Sequence, residues 1–213
     1  ILFYNDNQVW GINAVKQITE KEPFYKITVK TEHKTEETNL SSTEIQYWAK
    51  VYDQEHSWWN SEEDKIGKQI RRDNEFGLAT LKEIIHWKFL TLKGREKRVN
   101  NLIAVHNDSE IRTITKKALK QIKDNDRINI LREIKGVGVA IASTILTFYN
   151  PKEYCIYDIH VMRGVYGETP KYMFTSNKHY LKLLQDLRMI STSSKLPVRT
   201  IEKAYFKREF SGN

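Results

Sequence analysis

Asp158 stands directly ahead of Ile159, His160 and Val161, where an amphipathic run begins, twenty residues beyond Gly138. An aspartate at a helix N-cap accepts amide hydrogen bonds and meets the positive helix end, and both favour its ionised form. Such a carboxylate can stabilise positive charge building on a reacting carbon, or orient and deprotonate an attacking water. Aspartate is also a favoured structural cap at any helix start. Upstream, Lys135, Gly136, Val137, Gly138, Val139 and Ala140 form a glycine turn opening a helix. The glycines remove side chains that would keep a phosphate away, and the helix N-terminus behind them favours an anion. A plain glycine turn between packed helices would have the same composition.

The charge supports a polyanion partner. The chain of 213 residues has a net charge of +8, but 65–135 holds 18 Lys and Arg against 9 Asp and Glu, so the whole excess lies there. A solvated basic helix surface is the alternative reading. One cysteine, Cys155, excludes an intrachain disulfide and a four-cysteine metal or iron–sulfur site. Six histidines lie without ligand spacing, which argues against zinc. Glu62, Glu63 and Asp64 point in different directions around a helix and suit a first-turn dipole effect better than a metal-dependent nuclease. No run approaches the roughly 18 apolar residues of a membrane span. The sequence opens on Ile1 rather than an initiator, so a longer or processed precursor is expected.

Helices must position these groups. Ser41 and Glu44 have capping-box spacing ahead of Ile45, Trp48, Val51 and Tyr52. Leu78, Leu81, Ile84, Ile85 and Phe89 form a second stripe. Asp108 is the expected cap of a helix carrying Ile111, Ile114, Ala118 and Ile122. Asn125 or Asp126 is expected to cap the next, with Ile128, Leu131 and Ile134 inward and its end at Gly136. Helices over 140–149 and 159–166 follow, then Ser176 ahead of Leu181–Leu187 and a last helix begun by Pro197. Residues 1–40 differ: 24–30 alternates and reads as a strand, and 4–18 supplies another strand or a short helix.

Ile134-Lys135-Gly136-Val137-Gly138-Val139-Ala140-Ile141-Ala142 resembles the helix-hairpin-helix DNA-binding motif. With Asp158-Ile159-His160-Val161-Met162-Arg163 it resembles the helix-hairpin-helix DNA glycosylase superfamily, the endonuclease III and 8-oxoguanine glycosylase group. The resemblance covers roughly 78–210, with specific motif content only in 131–166. It implies a mainly α fold of two helical lobes over 41–213 with the hairpin at about 126–149, to which the strand pattern of 1–40 adds a small N-terminal β element. It implies that Asp158 is the catalytic aspartate for hydrolysis of an N-glycosidic bond in double-stranded DNA, acting on an extruded base and leaving an abasic site. Carbonyls of Arg132, Ile134 and Val137 would hold a monovalent or divalent cation. Lys135 replaces the family's common proline.

Members that also cut the strand carry a lysine two residues after the second glycine. Here that position is Ala140, so a monofunctional enzyme without an iron–sulfur cluster is expected. Trp87 and Trp48 are the candidate walls of a base pocket, with a core role the other reading. His160 is expected to pack and fix its loop, and Arg163 to reach backbone or a buried carboxylate. A monomer acting with DNA inside the cell, in a bacterial cytoplasm or a nucleus, completes the expectation. The rival class is a non-catalytic helix-hairpin-helix DNA-binding module.

Overall fold

The computed structural model describes residues 3–5, 8–10, 40–170 and 174–211. Two compact units divide the chain, Ile1–Lys34 and Thr35–Asn213. In the first, β1 (Phe3–Asn5) pairs antiparallel with β2 (Gln8–Trp10), Phe3 opposite Trp10. The strand predicted at 24–30, and most of the 4–18 segment, lie outside the described residues.

The second unit is mainly α, as predicted. Its described helices are α1 (Ser42–Glu55), α2 (Ser57–Asp73), α3 (Leu78–Phe89), α4 (Lys93–Ile103), α5 (Asp108–Leu119), α6 (Asp124–Leu131), α7 (Val139–Tyr149), α8 (Ile159–Tyr166), α9 (Asn177–Ser194) and α10 (Val198–Ser211). They fall into two packing groups. Helices α1, α8 and α9 lie against α10, while α2 to α7 pack among themselves. The groups meet where α1 touches α2, where α6 touches α9 and where Arg199 of α10 bonds to Glu63 of α2.

Helix α7 is the centre of the larger group because it is apolar on nearly every side, and such a helix must be buried. Its buried hydroxyls are satisfied within the helix: Ser143 Oγ and Thr144 Oγ1 donate to the Ala140 carbonyl at 2.8 and 2.9 Å, and Thr147 Oγ1 donates to that of Ser143 at 2.8 Å. At the far end Arg71 Nη1 donates to the Phe148 carbonyl at 2.7 Å, serving an oxygen that has no partner in the helix.

The Ser41–Glu44 capping box forms as predicted, with both reciprocal bonds. Two other caps differ from expectation. Helix α5 is capped by Asn107 with Glu110. Asp108 instead crosses to α3, where its Oδ1 accepts the Leu78 amide at 2.7 Å. Neither Asn125 nor Asp126 caps α6; its N-cap is Lys123, without a side-chain bond. Helix α6 ends at Leu131, and turns lead on to Gly136. Ile122 lies beyond the end of α5 and is exposed, because Lys120 already closes that helix.

Helix α10 begins after Pro197. Its first amides are taken by the carbonyls of Pro151 and Lys152, which receive Arg199 and Val198 at 3.0 and 3.2 Å. That contact draws the 151–158 loop onto α10.

Candidate functional site

The four residues before Asp158, Tyr154 to Tyr157, are buried and carry no intra-segment ladder, so their main-chain groups need partners from elsewhere. Tyr180 Oη of α9 donates to the Cys155 carbonyl at 3.2 Å. The Ile156 amide donates to Glu202 Oε2 of α10 at 3.2 Å, and the Tyr157 amide to Ser143 Oγ of α7 at 2.9 Å. Three helices therefore fix the three residues ahead of Asp158. One of them, α7, begins at the glycine turn. Burial pushes the Cys155 thiol well up, which leaves it an inert core group.

Asp158 is the N-cap of α8, with Oδ1 accepting the His160 amide at 3.1 Å. Its other oxygen, Oδ2, lies 3.4 Å from Lys88 Nζ at the end of α3. The Asp158 side chain keeps 28% of its surface open and Lys88 only 10%, so the pair sits at the edge of the interior. Burial alone would raise the Asp158 pKa, but the Lys88 charge and the His160 amide together hold it below the ordinary value. The group is thus a reachable, ionised carboxylate at neutral pH.

His160 is held in place. Its Nδ1 lies 2.6 Å from Glu209 Oε2, and its ring packs edge-on against Phe206 and Phe210. Arg163 Nη1 stands 4.0 Å from Glu209 Oε1, so the carboxylate Arg163 reaches is Glu209.

At the hairpin, Gly136 has φ +98°, and a β-carbon there would come within 2.9 Å of Leu102 on α4. Glycine is required on both counts. Gly138 is different: it is the N-cap of α7 at φ −88°, exposed, with open space where a side chain would project. Val139 and Ala140 supply first-turn amides, which have no partner in the helix. Lys135 presents its side chain to solvent but not its amide, which donates to His106 Nε2 at 2.9 Å. Val137 donates its amide to the Ile134 carbonyl at 2.9 Å. The amides of Lys135 and Val137 are thus already engaged, and the start of α7 supplies donors that are not. Of the three carbonyls in the expected cation site, that of Ile134 keeps one lone pair after this bond.

The basic stretch is partly self-neutralised. Lys65, Lys68, Arg72, Arg112, Lys116 and Lys117 each form an ion pair with a neighbouring carboxylate. Among the described residues Arg95, Lys97, Arg98, Lys135, Lys82, Lys120, Lys123, Arg127 and Arg132 have none. The first three lie on α4, the helix against which Gly136 packs. A cavity of about 690 Å³ is lined by Arg132, Lys178 and Lys182 with Asn125 and Ser176.

The two tryptophans expected to wall a pocket both pack against other aromatic rings. Trp87 is buried, its ring edge-on to Phe148 and its Nε1 donating to the Trp59 carbonyl at 2.7 Å. It also lines a cavity of about 310 Å³ with Trp58, His86, Glu96 and Asn100. Trp48 is half-buried, edge-on to Tyr47. Neither shares a hydrogen bond with Asp158 among the described residues.

Two features escape sequence reasoning. Lys88 leaves a signal, since it falls four residues after Ile84 and three after Ile85, both fully buried, and so is a charge on an apolar stripe. The second is a buried network. Arg199 donates to Glu63 Oε1 and Oε2 at 2.9 and 2.7 Å and pairs with Glu202, which in turn holds the Ile156 amide. Glu63 thus does not serve the first turn of its helix, which begins at Ser57.

No protein-family model, curated protein or solved structure matches this chain. The functional reading rests on the residues themselves. Among the described residues no helix is long and apolar enough to cross a membrane.

Proposed function

We propose that the chain is a DNA N-glycosylase that hydrolyses the bond between a damaged, mismatched or modified base and its sugar in duplex DNA, on a two-lobed helix-hairpin-helix fold. The observation that carries this reading is the reachable, ionised Asp158 carboxylate, set by the same helix whose first turn is the open glycine hairpin. In the proposed cycle the start of α7 and the unpaired cations of α4 bind the strand by its phosphates. A nucleotide leaves the stack at a cost of a few kcal/mol. As the base departs, positive charge grows on the sugar, and the Asp158 carboxylate stabilises it and orients the incoming water. Lys88 keeps that carboxylate charged. With alanine at 140, displacement of the base falls to water, so the activity is monofunctional and leaves an abasic site. Carbonyls of Arg132, Ile134 and Val137 would hold a cation that tightens the hairpin, which supplies positive charge beside the phosphates.

A panel of duplex oligonucleotides, each with one oxidised, alkylated, deaminated or mismatched base, tests the proposal. Alkali-labile breaks at one class of lesion are expected. Salt-dependent binding without base release on any member would instead favour a DNA-binding module, a reading in which the Lys88–Asp158 pair is a structural bridge.

A further inference from the structure

We infer that His106 is the positioning residue of the glycine hairpin. Its ring locks the hairpin to the end of α4, and so holds two proposed phosphate-binding elements, α4 and the start of α7, in register on one DNA backbone. The inference rests on the DNA-binding part of the reading above.

His106 is built as a rigid link. Its own amide donates to the Ile103 carbonyl at 3.1 Å, which fastens it to the last turn of α4. Its Nε2 accepts the Lys135 amide at 2.9 Å. A ring that accepts at Nε2 carries its single proton on Nδ1. That nitrogen lies 3.3 Å from Glu110 Oε2. Glu110 is pinned in turn, because it closes the capping box of α5 with Asn107. One tautomer thus satisfies both ring nitrogens, and the side chain keeps only 17% of its surface open.

The hairpin needs such a link. Amides that grip a phosphate must be held to a fraction of an ångström by bonds behind them. The Glu133, Ile134 and Val137 amides are spent locally, on carbonyls of residues 130–134. Among the described residues, the Lys135–His106 bond is the one hydrogen bond that ties the main chain of 133–137 to an element other than α6 and α7. It falls immediately before Gly136, whose own space is closed by Leu102 of α4. Leu102 shares the wall of a cavity of about 370 Å³ with Lys97 and Arg98, two of the unpaired cations. Leu102 supplies the apolar half of the joint between α4 and the hairpin, and His106 the polar half.

The test uses the full chain and undamaged duplex DNA, with affinity read across a salt series. His106→Leu removes the acceptor. Its Kd should rise about 3- to 10-fold, the range for one hydrogen bond. The slope of log K against log salt should shrink by about 0.9 if one phosphate falls out of register. A merely structural role would lower the melting temperature and leave that slope unmoved. His106→Gln places an amide oxygen near the former Nε2, and should restore both affinity and slope. In the wild type without DNA, in slightly alkaline buffer, ring-nitrogen NMR shifts should put the proton on Nδ1. The Lys135 amide should exchange slowly with heavy water. These wild-type measurements decide even if a variant folds poorly. A proton on Nε2, fast exchange at Lys135, an unchanged slope in His106→Leu, or no recovery in His106→Gln would overturn the inference. Base release from lesion DNA with the slope unchanged in His106→Leu would refute the inference alone. A slope lost in His106→Leu and regained in His106→Gln, with no base release from any lesion, would uphold it and count against the glycosylase reading. A wild type that binds no duplex would overturn both.

Discussion

Lys88 and Asp158 work on each other through one short contact, and its consequences are measurable by pH. The Asp158 pKa is lowered in the folded chain, against the effect of burial, by Lys88 and the His160 amide. Its contribution to stability is therefore complete above the ordinary aspartate value of about 3.9 and is lost as pH falls through the lowered value. The acid limb of base release is expected below about pH 4. In Lys88→Gln the cation is gone and burial remains, so the limb should move to higher pH; an unmoved limb would show that Lys88 does not set the ionisation. The two hairpin glycines give a contrasting pair. Gly138→Asp meets open space at an ordinary backbone angle, and aspartate is a good N-cap, so the melting temperature should hold or rise. DNA affinity should fall, because a carboxylate then occupies the place proposed for a phosphate. Gly136→Ala should instead destabilise the fold, since φ is positive and Leu102 stands in the way. Unchanged affinity in Gly138→Asp would remove the hairpin from the DNA interface.

Among the elements, the segment leading to Asp158 depends on the buried Glu63–Arg199–Glu202 network. Burial pushes the Glu202 carboxyl up even with Arg199 beside it, while the two carboxylates hold the Arg199 guanidinium well above its ordinary range against the effect of burial. Removing one member leaves buried charge without a partner. Arg199→Met is expected to cost about 3–5 kcal/mol, read as a fall in Tm on the order of 10 °C. A triple variant that adds Glu63→Gln and Glu202→Gln should recover part of the loss; a Tm unchanged in the single variant would contradict the role given to the network. Nothing local in the sequence announces this arrangement, since Glu63 and Arg199 are 136 residues apart. What is legible is what neighbours decide: the Ser41–Glu44 box, the apolar stripe of α3, the glycine turn and the cap at Asp158. Asp108 shows the limit. Its type marks a cap correctly, but the amide it serves belongs to another helix, and only tertiary packing decides that. Helix α4 gives no sequence signal because Ile103 is its one buried residue, which leaves no stripe to read.

For the whole molecule, the uneven charge matters more than its sum. Ion pairs absorb about half of the cations between 65 and 135, and three of those without one, Arg95, Lys97 and Arg98, lie on α4, against which Gly136 packs. Reversing two of them, Lys97→Glu with Arg98→Glu, should weaken DNA binding and reduce the slope of log K against log salt by about 0.9 for each phosphate no longer neutralised. An unaltered slope would place the DNA elsewhere. The same surface can serve an adaptor as well as an enzyme, so binding alone does not decide the function. Single-turnover base release by wild type and Asp158→Asn, on the lesion the wild type processes, decides it. Asparagine still caps α8 and keeps nearly the same shape, while the charge is removed. Base release is expected to slow by about 10²- to 10⁴-fold with DNA affinity retained. Equal rates in the two proteins would contradict the claim that Asp158 performs the chemistry.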